Sequence, residues 1–216
     1  MLERILPPTV RTAHTRSDPP ASLFPAEAAL VANAVEKRKR EFTTVRNCAR
    51  LALAELGVPP VPILPGVRGA PVWPDGIVGS MTHCAGFRGA AVARTSEAGG
   101  IGIDAEEHGP LPDGVLELVA SPDERTHLAG LASARPEVCW ERLLFSAKES
   151  VYKVWSPRTG EWLGFEEAEV SFDPEAATFT ARVLVPGPFP VLTGRYLVED
   201  GLVLTAIVLP PLSSLT

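Results

Sequence analysis

Gly100-Ile-Gly-Ile-Asp-Ala-Glu-Glu107 is the stretch on which the chain turns: a short β-branched run carrying two glycines passes directly into acidic residues. Side chains alternate faces along a strand, so Asp104 and Glu106 share one face while Ile101 and Ile103 share the other with Ala105 and Glu107. About forty positions on, Phe145-Ser-Ala-Lys-Glu-Ser-Val-Tyr-Lys-Val-Trp155 has the periodicity of a helix. It sets Lys148, Tyr152 and Trp155 on one stripe and Glu149 one turn before Lys153. Alone, an Asp-x-Glu at a strand end reads as a solvated turn and a Lys-Glu pair as helix surface. Together they offer three carboxylates beside two lysines. That set suits Mg²⁺, a hard ion that takes oxygen ligands and keeps waters for phosphates to displace.

Working outward, 216 residues allow one sizeable core or two small packed halves, and 45% hydrophobic with 21% charged is a globular composition. A net charge of -6 and a pI near 5.3 argue against nucleic acid, whose backbone is bound by clustered Lys and Arg. Cys48, Cys84 and Cys139 lack metal-type spacing and cannot all pair, and no signal-like or membrane-spanning run is visible. A reducing cytoplasm is the expected setting.

Residues 1–24 read as an extended arm. Pro25 suits a first helical position, and apolar stripes at Leu30, Val31, Ala34 and Val35, then at Phe42, Val45, Ala49, Ala52 and Leu56, predict one helix or two, closed by Gly57. Lys39, Arg46 and Arg50 share a face that by itself reads as solvated. Val58 to Asp75, with six prolines, is a loop. Ile77–His83, Phe87–Thr95 and the acidic strand read as a three-stranded meander, with Ser80 and Thr82 on one face and His83 at the strand end. Val115–Val119 is a helical turn, and Ser121-Pro-Asp-Glu124 is a capping box that starts a helix. The Lys-Glu helix begins near Glu137 and is expected to stop at Pro157. Strands at 168–172, 179–185, 194–198 and 202–209 complete the chain. The order is helix then antiparallel strands, twice, which predicts an α+β pseudo-dimer of two similar halves, each with helices packed on an antiparallel sheet.

Gly102-Ile-Asp-x-Glu106 with Phe145-Ser-x-Lys-Glu-Ser-x-Tyr-Lys153 resembles the paired signatures of 4′-phosphopantetheinyl transferases, of the larger single-chain, pseudo-dimeric class. Val78-Gly-Ser-Met-Thr-His83 resembles a third signature and Arg68-Gly-Ala-Pro-Val-Trp-Pro74 a fourth. The resemblance spans about Ala26 to Val208 and is nearest in flavour to actinobacterial enzymes serving polyketide, nonribosomal peptide and lipid synthases. It implies transfer of the phosphopantetheinyl group from coenzyme A to a serine of apo acyl or peptidyl carrier proteins, releasing adenosine 3′,5′-bisphosphate. Asp104, Glu106 and Glu149 would hold Mg²⁺, or Mn²⁺ in its place. Glu149 would be the general base and Lys153 the group facing the leaving phosphate. Coenzyme A would meet Arg38 and Arg46 at its 3′-phosphate, Arg68 at the nucleotide loop, Thr82 and His83 at the pyrophosphate, Lys148 at the α-phosphate, and Asp104 and Lys153 at the centre. Related chains often carry a lysine where Pro65 stands. The implied division is 1–105, with nucleotide contacts and the first metal ligand, and 106–216, with the Lys-Glu helix and the carrier side. A monomer is expected, with the helix after Ser121 as carrier-docking candidate. Two rivals are a Mg²⁺-dependent hydrolase, disfavoured by the four ordered motifs, and a binding protein without catalysis, whose mark would be a missing carboxylate or lysine.

Overall fold

The computed structural model describes residues 1–211. Two antiparallel sheets carry the fold. The first has order β1-β3-β2, from β1 (Arg11–Thr15), β2 (Ile77–Cys84) and β3 (Phe87–Arg94). The second has order β4-β8-β7-β6-β5, from β4 (Gly100–Glu107), β5 (Ala168–Asp173), β6 (Thr178–Val183), β7 (Val191–Glu199) and β8 (Leu202–Leu209). The halves are therefore alike in design and unequal in size.

Helices cover each sheet. The α1 helix (Pro25–Leu30) and α2 (Glu36–Glu55) are separate, so the two apolar stripes belong to two helices. Pro25 opens α1, where the Phe24 N–H donates to Glu27 Oε2 at 3.0 Å, and Gly57 takes the left-handed φ of 74° just past α2. From α2, Cys48, Ala49, Ala52 and Leu53 pack on Ala90 and Val92 of β3. On the second sheet, α3 (Val115–Val119), α4 (Pro122–Ala134) and α5 (Trp140–Thr159) bury Trp140, Leu143, Leu144, Val151 and Trp155 against Val170, Phe172, Phe179 and Ile207. The capping box forms as read, Ser121 Oγ accepting from the Glu124 N–H and Glu124 Oε2 from the Ser121 N–H.

Three expectations are corrected. Residues 1–24 are more than an arm: Leu2–Arg4 is a 3-10 turn with Leu2 fully buried, and β1 ladders along β3 although Arg-Thr-Ala-His-Thr shows no apolar alternation. The meander does not form, because β4 pairs with β8, Asp104 opposite Thr205. Beside β2 it runs in the same direction, and hydroxyls stand where a ladder would: the Ile103 N–H donates to Ser80 Oγ (3.1 Å) and the Ala105 N–H to Thr82 Oγ1 (3.0 Å). A boundary between residues 105 and 106 thus cuts a strand that belongs whole to the second sheet, and the sheets divide between Arg94 and Gly100. Lastly, α5 runs through Pro157 to Thr159: the proline forfeits the one bond to the Lys153 carbonyl, and the turn beyond it is held by Thr159 Oγ1 donating to the Trp155 carbonyl and the Gly160 N–H to that of Ser156. Gly160, at φ 71°, ends it.

A third apolar cluster joins the halves. Leu2, Ile5, Leu6 and Val10 meet Phe87, Ala91 and Ala93 of β3, Ile101, Ile103 and Ala105 of β4, and Leu202, Leu204 and Ala206 of β8. The alternation read from the sequence is what permits this: one face of β4 enters the junction and the other turns to α5.

Candidate active site

Close approach of α5 to β4 builds the site. A Cβ on Gly102 would stand 2.1 Å from the Ser150 carbonyl oxygen, so only glycine lets the helix backbone lie there. Small buried hydroxyls fill the rest of the seam: Ser146 Oγ and Ser150 Oγ lie 2.9 and 2.7 Å from Thr205 Oγ1 of β8. The next polar position along that face of β4 is Asp104. Lys153, one turn past Ser150, reaches it at 2.6 Å, and Thr82 Oγ1 donates to the same Asp104 Oδ1 at 3.3 Å.

A cleft of about 500 Å³ opens beside this contact, between the two halves. Arg38, Glu41, Phe42 and Arg46 line it from α2, Arg68 from the proline-rich loop, Ser80 to His83 from β2, and Glu149, Tyr152, Lys153 and Ser156 from α5. Seven of the residues singled out from the sequence thus meet here: Arg38, Arg46, Arg68, Thr82, His83, Glu149 and Lys153. Asp104 lies behind the wall, 4% exposed. The cleft is rich in cations although the chain is acidic overall.

Arg38 Nη1 donates to His83 Nε2 at 3.0 Å, so that nitrogen is the acceptor of a neutral ring. Burial, then the Arg38 charge, pushes the His83 pKa down, against Glu41. Arg46 and Arg50 are not on a solvated face: Arg50 Nη1 bonds both oxygens of the fully buried Glu27, at 2.9 and 3.0 Å. Arg46 donates from Nε to the Ile63 carbonyl at 3.1 Å, lies 3.7 Å from Glu27, and stacks 3.3 Å from the Phe42 ring centroid. Burial lowers its pKa to about 10. Arg68, at a left-handed φ of 54°, donates to the Gly160 carbonyl at 3.1 Å and so ties the loop to the end of α5.

Lys148 overturns its sequence reading. It is 4% exposed and turned away from the cleft, its ammonium donating to the Val119 carbonyl (2.7 Å), Glu124 Oε2 (2.8 Å) and the Phe165 carbonyl (2.8 Å). An ammonium has three protons, and these acceptors take them all, which leaves none for a phosphate. Burial lowers its pKa, against Glu124.

The expected metal ligands are not closed into a set. Among the described residues no group of three or more His, Cys, Asp and Glu side chains is gathered to hold an ion. Glu106 turns to Arg142, whose Nη1 donates to it at 3.1 Å while its other nitrogens hold the Gly109 and Pro110 carbonyls. The chemistry still suits a hard cation. Asp104 Oδ2 is buried without a hydrogen-bond partner. Burial, and after it the charge of Asp104, raises the pKa of Glu106 to about 7 and raises that of Glu149. All three residues offer oxygen donors, and the orphaned oxygen belongs to the carboxylate whose charge disturbs the other two. Sequence reasoning missed Arg142, Glu124 and Glu27, each a buried or half-buried charge whose partner lies far along the chain. The capping box around Glu124 was the one local signal.

Comparison with known proteins identifies the family. Residues 26–93 match the family model described as the 4′-phosphopantetheinyl transferase N-terminal domain, and residues 100–198 that of the 4′-phosphopantetheinyl transferase superfamily. The gap between the two matches falls where the sheets divide. The chain is 59% identical to the 4′-phosphopantetheinyl transferase Svp of Streptomyces mobaraensis, over 96% of this chain and 88% of Svp. It is 50% identical to Npt of Nocardia iowensis (96% and 99% covered) and 48% identical to PptT of Mycobacterium tuberculosis (97% and 98%), both also 4′-phosphopantetheinyl transferases. With both halves matched, and with relatives of this identity along nearly the whole chain, the protein belongs to the 4′-phosphopantetheinyl transferase superfamily and is a transferase of that kind.

Proposed function

We propose that this enzyme moves the 4′-phosphopantetheinyl group of coenzyme A onto a serine hydroxyl of apo acyl or peptidyl carrier proteins, of polyketide, nonribosomal peptide or lipid synthases, with Mg²⁺ or Mn²⁺. The bond formed joins the serine oxygen to the β-phosphorus of the pyrophosphate; the bond broken frees adenosine 3′,5′-bisphosphate. What carries the reading is the Asp104–Lys153 contact beside Glu149, in a cleft that also presents Arg38, Arg46 and Arg68. Arginine forks suit phosphate oxygens, and His83, a neutral acceptor beside Arg38, sits where a phosphate would compete for that arginine.

Asp104, Glu106 and Glu149 would hold the metal, which supplies charge neutralisation at the pyrophosphate. Glu149, whose hold on a proton is strengthened by burial and by Asp104, takes the proton of the attacking hydroxyl. Lys153, held in place by its contact with Asp104, screens and protonates the departing phosphate. The enzyme would act in the cytoplasm as a monomer; among the described residues no helix is long and apolar enough to cross a membrane. The test is mass spectrometry of several apo carriers incubated with coenzyme A and Mg²⁺: each client gains one phosphopantetheine. No gain on any carrier with fresh coenzyme A rejects the reading.

A further inference from the structure

We propose that the buried Glu124–Lys148 ion pair is the positioning device of this active site: it fixes the rotation of α5, and so the aim of Glu149 and Lys153, and it pins the segment that follows α5. The inference rests on the transferase reading for its kinetic consequences and on geometry alone for its structural ones.

Glu124 is 4% exposed and bonded on three sides. Its Oε2 accepts from the Ser121 N–H and from Lys148 Nζ, each at 2.8 Å, and its Oε1 accepts from the Val170 N–H of β5 at 2.7 Å. One carboxylate therefore ties the start of α4, the middle of α5 and the edge of the second sheet. Lys148 adds the end of α3 through Val119 and the segment after α5 through Phe165. A carboxylate and an ammonium buried together must each satisfy their hydrogen bonds within the protein. This pair does so only in one arrangement of α3, α4, α5 and β5.

That arrangement aims the chemistry. Successive helical residues are turned by about 100°, so Glu149 points about 100° and Lys153 about 140° around α5 from Lys148. With Lys148 locked into the interior, both are delivered to the cleft. The Phe165 anchor acts on the other side of Glu149. It holds Trp162 5.1 Å from the Tyr152 ring and Phe165 5.7 Å from the Phe145 ring. A second cavity of about 340 Å³ lies between that segment and Glu149 and Tyr152. Both walls of the region around Glu149 are thus set by one ion pair that never touches the cleft.

Lys148→Met, Glu124→Gln and the double amide variant Glu124→Gln/Lys148→Gln test this, the last because it leaves no unpaired buried charge and remains informative where a single variant fails to fold. Coenzyme A affinity by calorimetry, kcat by carrier mass shift, and hydrogen exchange over residues 160–167 are the readouts. The expected result is a fall in kcat of at least tenfold for each single variant, coenzyme A affinity within twofold of the parent, faster exchange over 160–167, and a double variant no worse than the weaker single one. A Lys148→Met protein that loses coenzyme A tenfold, while Glu124→Gln behaves as the parent, overturns the proposal and restores Lys148 as a phosphate ligand. Unchanged exchange over 160–167 in all three folded variants also overturns it. A parent protein without transfer activity defeats the proposed function instead, and leaves the exchange result standing.

Discussion

Asp104 spends one oxygen on Lys153 and Thr82 and leaves the other buried without a partner, while its charge raises the proton affinity of both Glu106 and Glu149. From this imbalance, Asp104→Ala should be partly rescued by raised Mg²⁺. Glu149→Gln should stay inactive, since an amide offers an oxygen but takes no proton. Near-normal turnover of Glu149→Gln in a Mg²⁺ titration would make it a plain ligand. The pH dependence follows from the same residues. The folded protein holds the Glu106 proton to about pH 7, the unfolded chain only to about 4.5. This contribution therefore favours folding below pH 4.5 and is lost as pH rises through 7, by about 1–2 kcal/mol once the partial exposure of the side chain is discounted. Melting of metal-free protein against Glu106→Gln from pH 5 to 8 should show the parent losing more stability than the variant; parallel curves would exclude it. At the other end of the cleft, Arg38→Ala should weaken coenzyme A about tenfold while sparing its 3′-dephospho form, because a charge-assisted bond contributes roughly 1.5–3 kcal/mol. Equal losses for the two ligands would place Arg38 elsewhere. Arg46→Ala is a poorer probe, as Arg46 also holds Ile63 and covers Phe42.

Among the elements, β4 and α5 were the most legible, because alternation and helical spacing are local properties. They set Asp104 with Glu106, and Glu149 with Lys153, and the fold keeps both pairings. Lys148 was not legible: its stripe on α5 was readable, but the partner that claims it lies on another helix 24 positions earlier. Nor was the strand partner of β4, which depends on Ser80 and Thr82 occupying the edge that a meander would have used. The seam between β4 and α5 is sharply constrained. Gly102→Ala would drive a methyl into the Ser150 carbonyl, with backbone on both sides unable to swing away as a side chain would. We expect a loss of at least about 3 kcal/mol, the upper end of overpacking costs, together with loss of the Asp104–Lys153 contact. Chemical denaturation reads the first, and a melting midpoint equal to the parent's would show that the seam can open.

Across the whole molecule, the halves share a core. Leu2 is fully buried among residues of β3, β4 and β8, and Arg4 bonds both oxygens of Glu199 at 2.6 Å. Leu2→Ala should cost about 2–4 kcal/mol, as truncations of buried leucine do, and the halves should still unfold in one step. Tryptophan fluorescence can follow this, because Trp73 reports on the first half and Trp140 and Trp155 on the second. Two separated transitions would show that the halves stand alone. The pairing of β4 with β8 also sets a timetable during synthesis. The first sheet, its helices and the strand bearing Asp104 all leave the ribosome while the strand that β4 must pair with is still untranslated. At roughly 5–20 residues per second, Ile101 and Ile103 stay without that cover for several seconds. The nascent enzyme therefore passes through a stage in which its first sheet is complete and the strand bearing Asp104 is an unpaired apolar edge, a natural client for a chaperone. A message truncated before β8 would deliver that sticky intermediate as its final product.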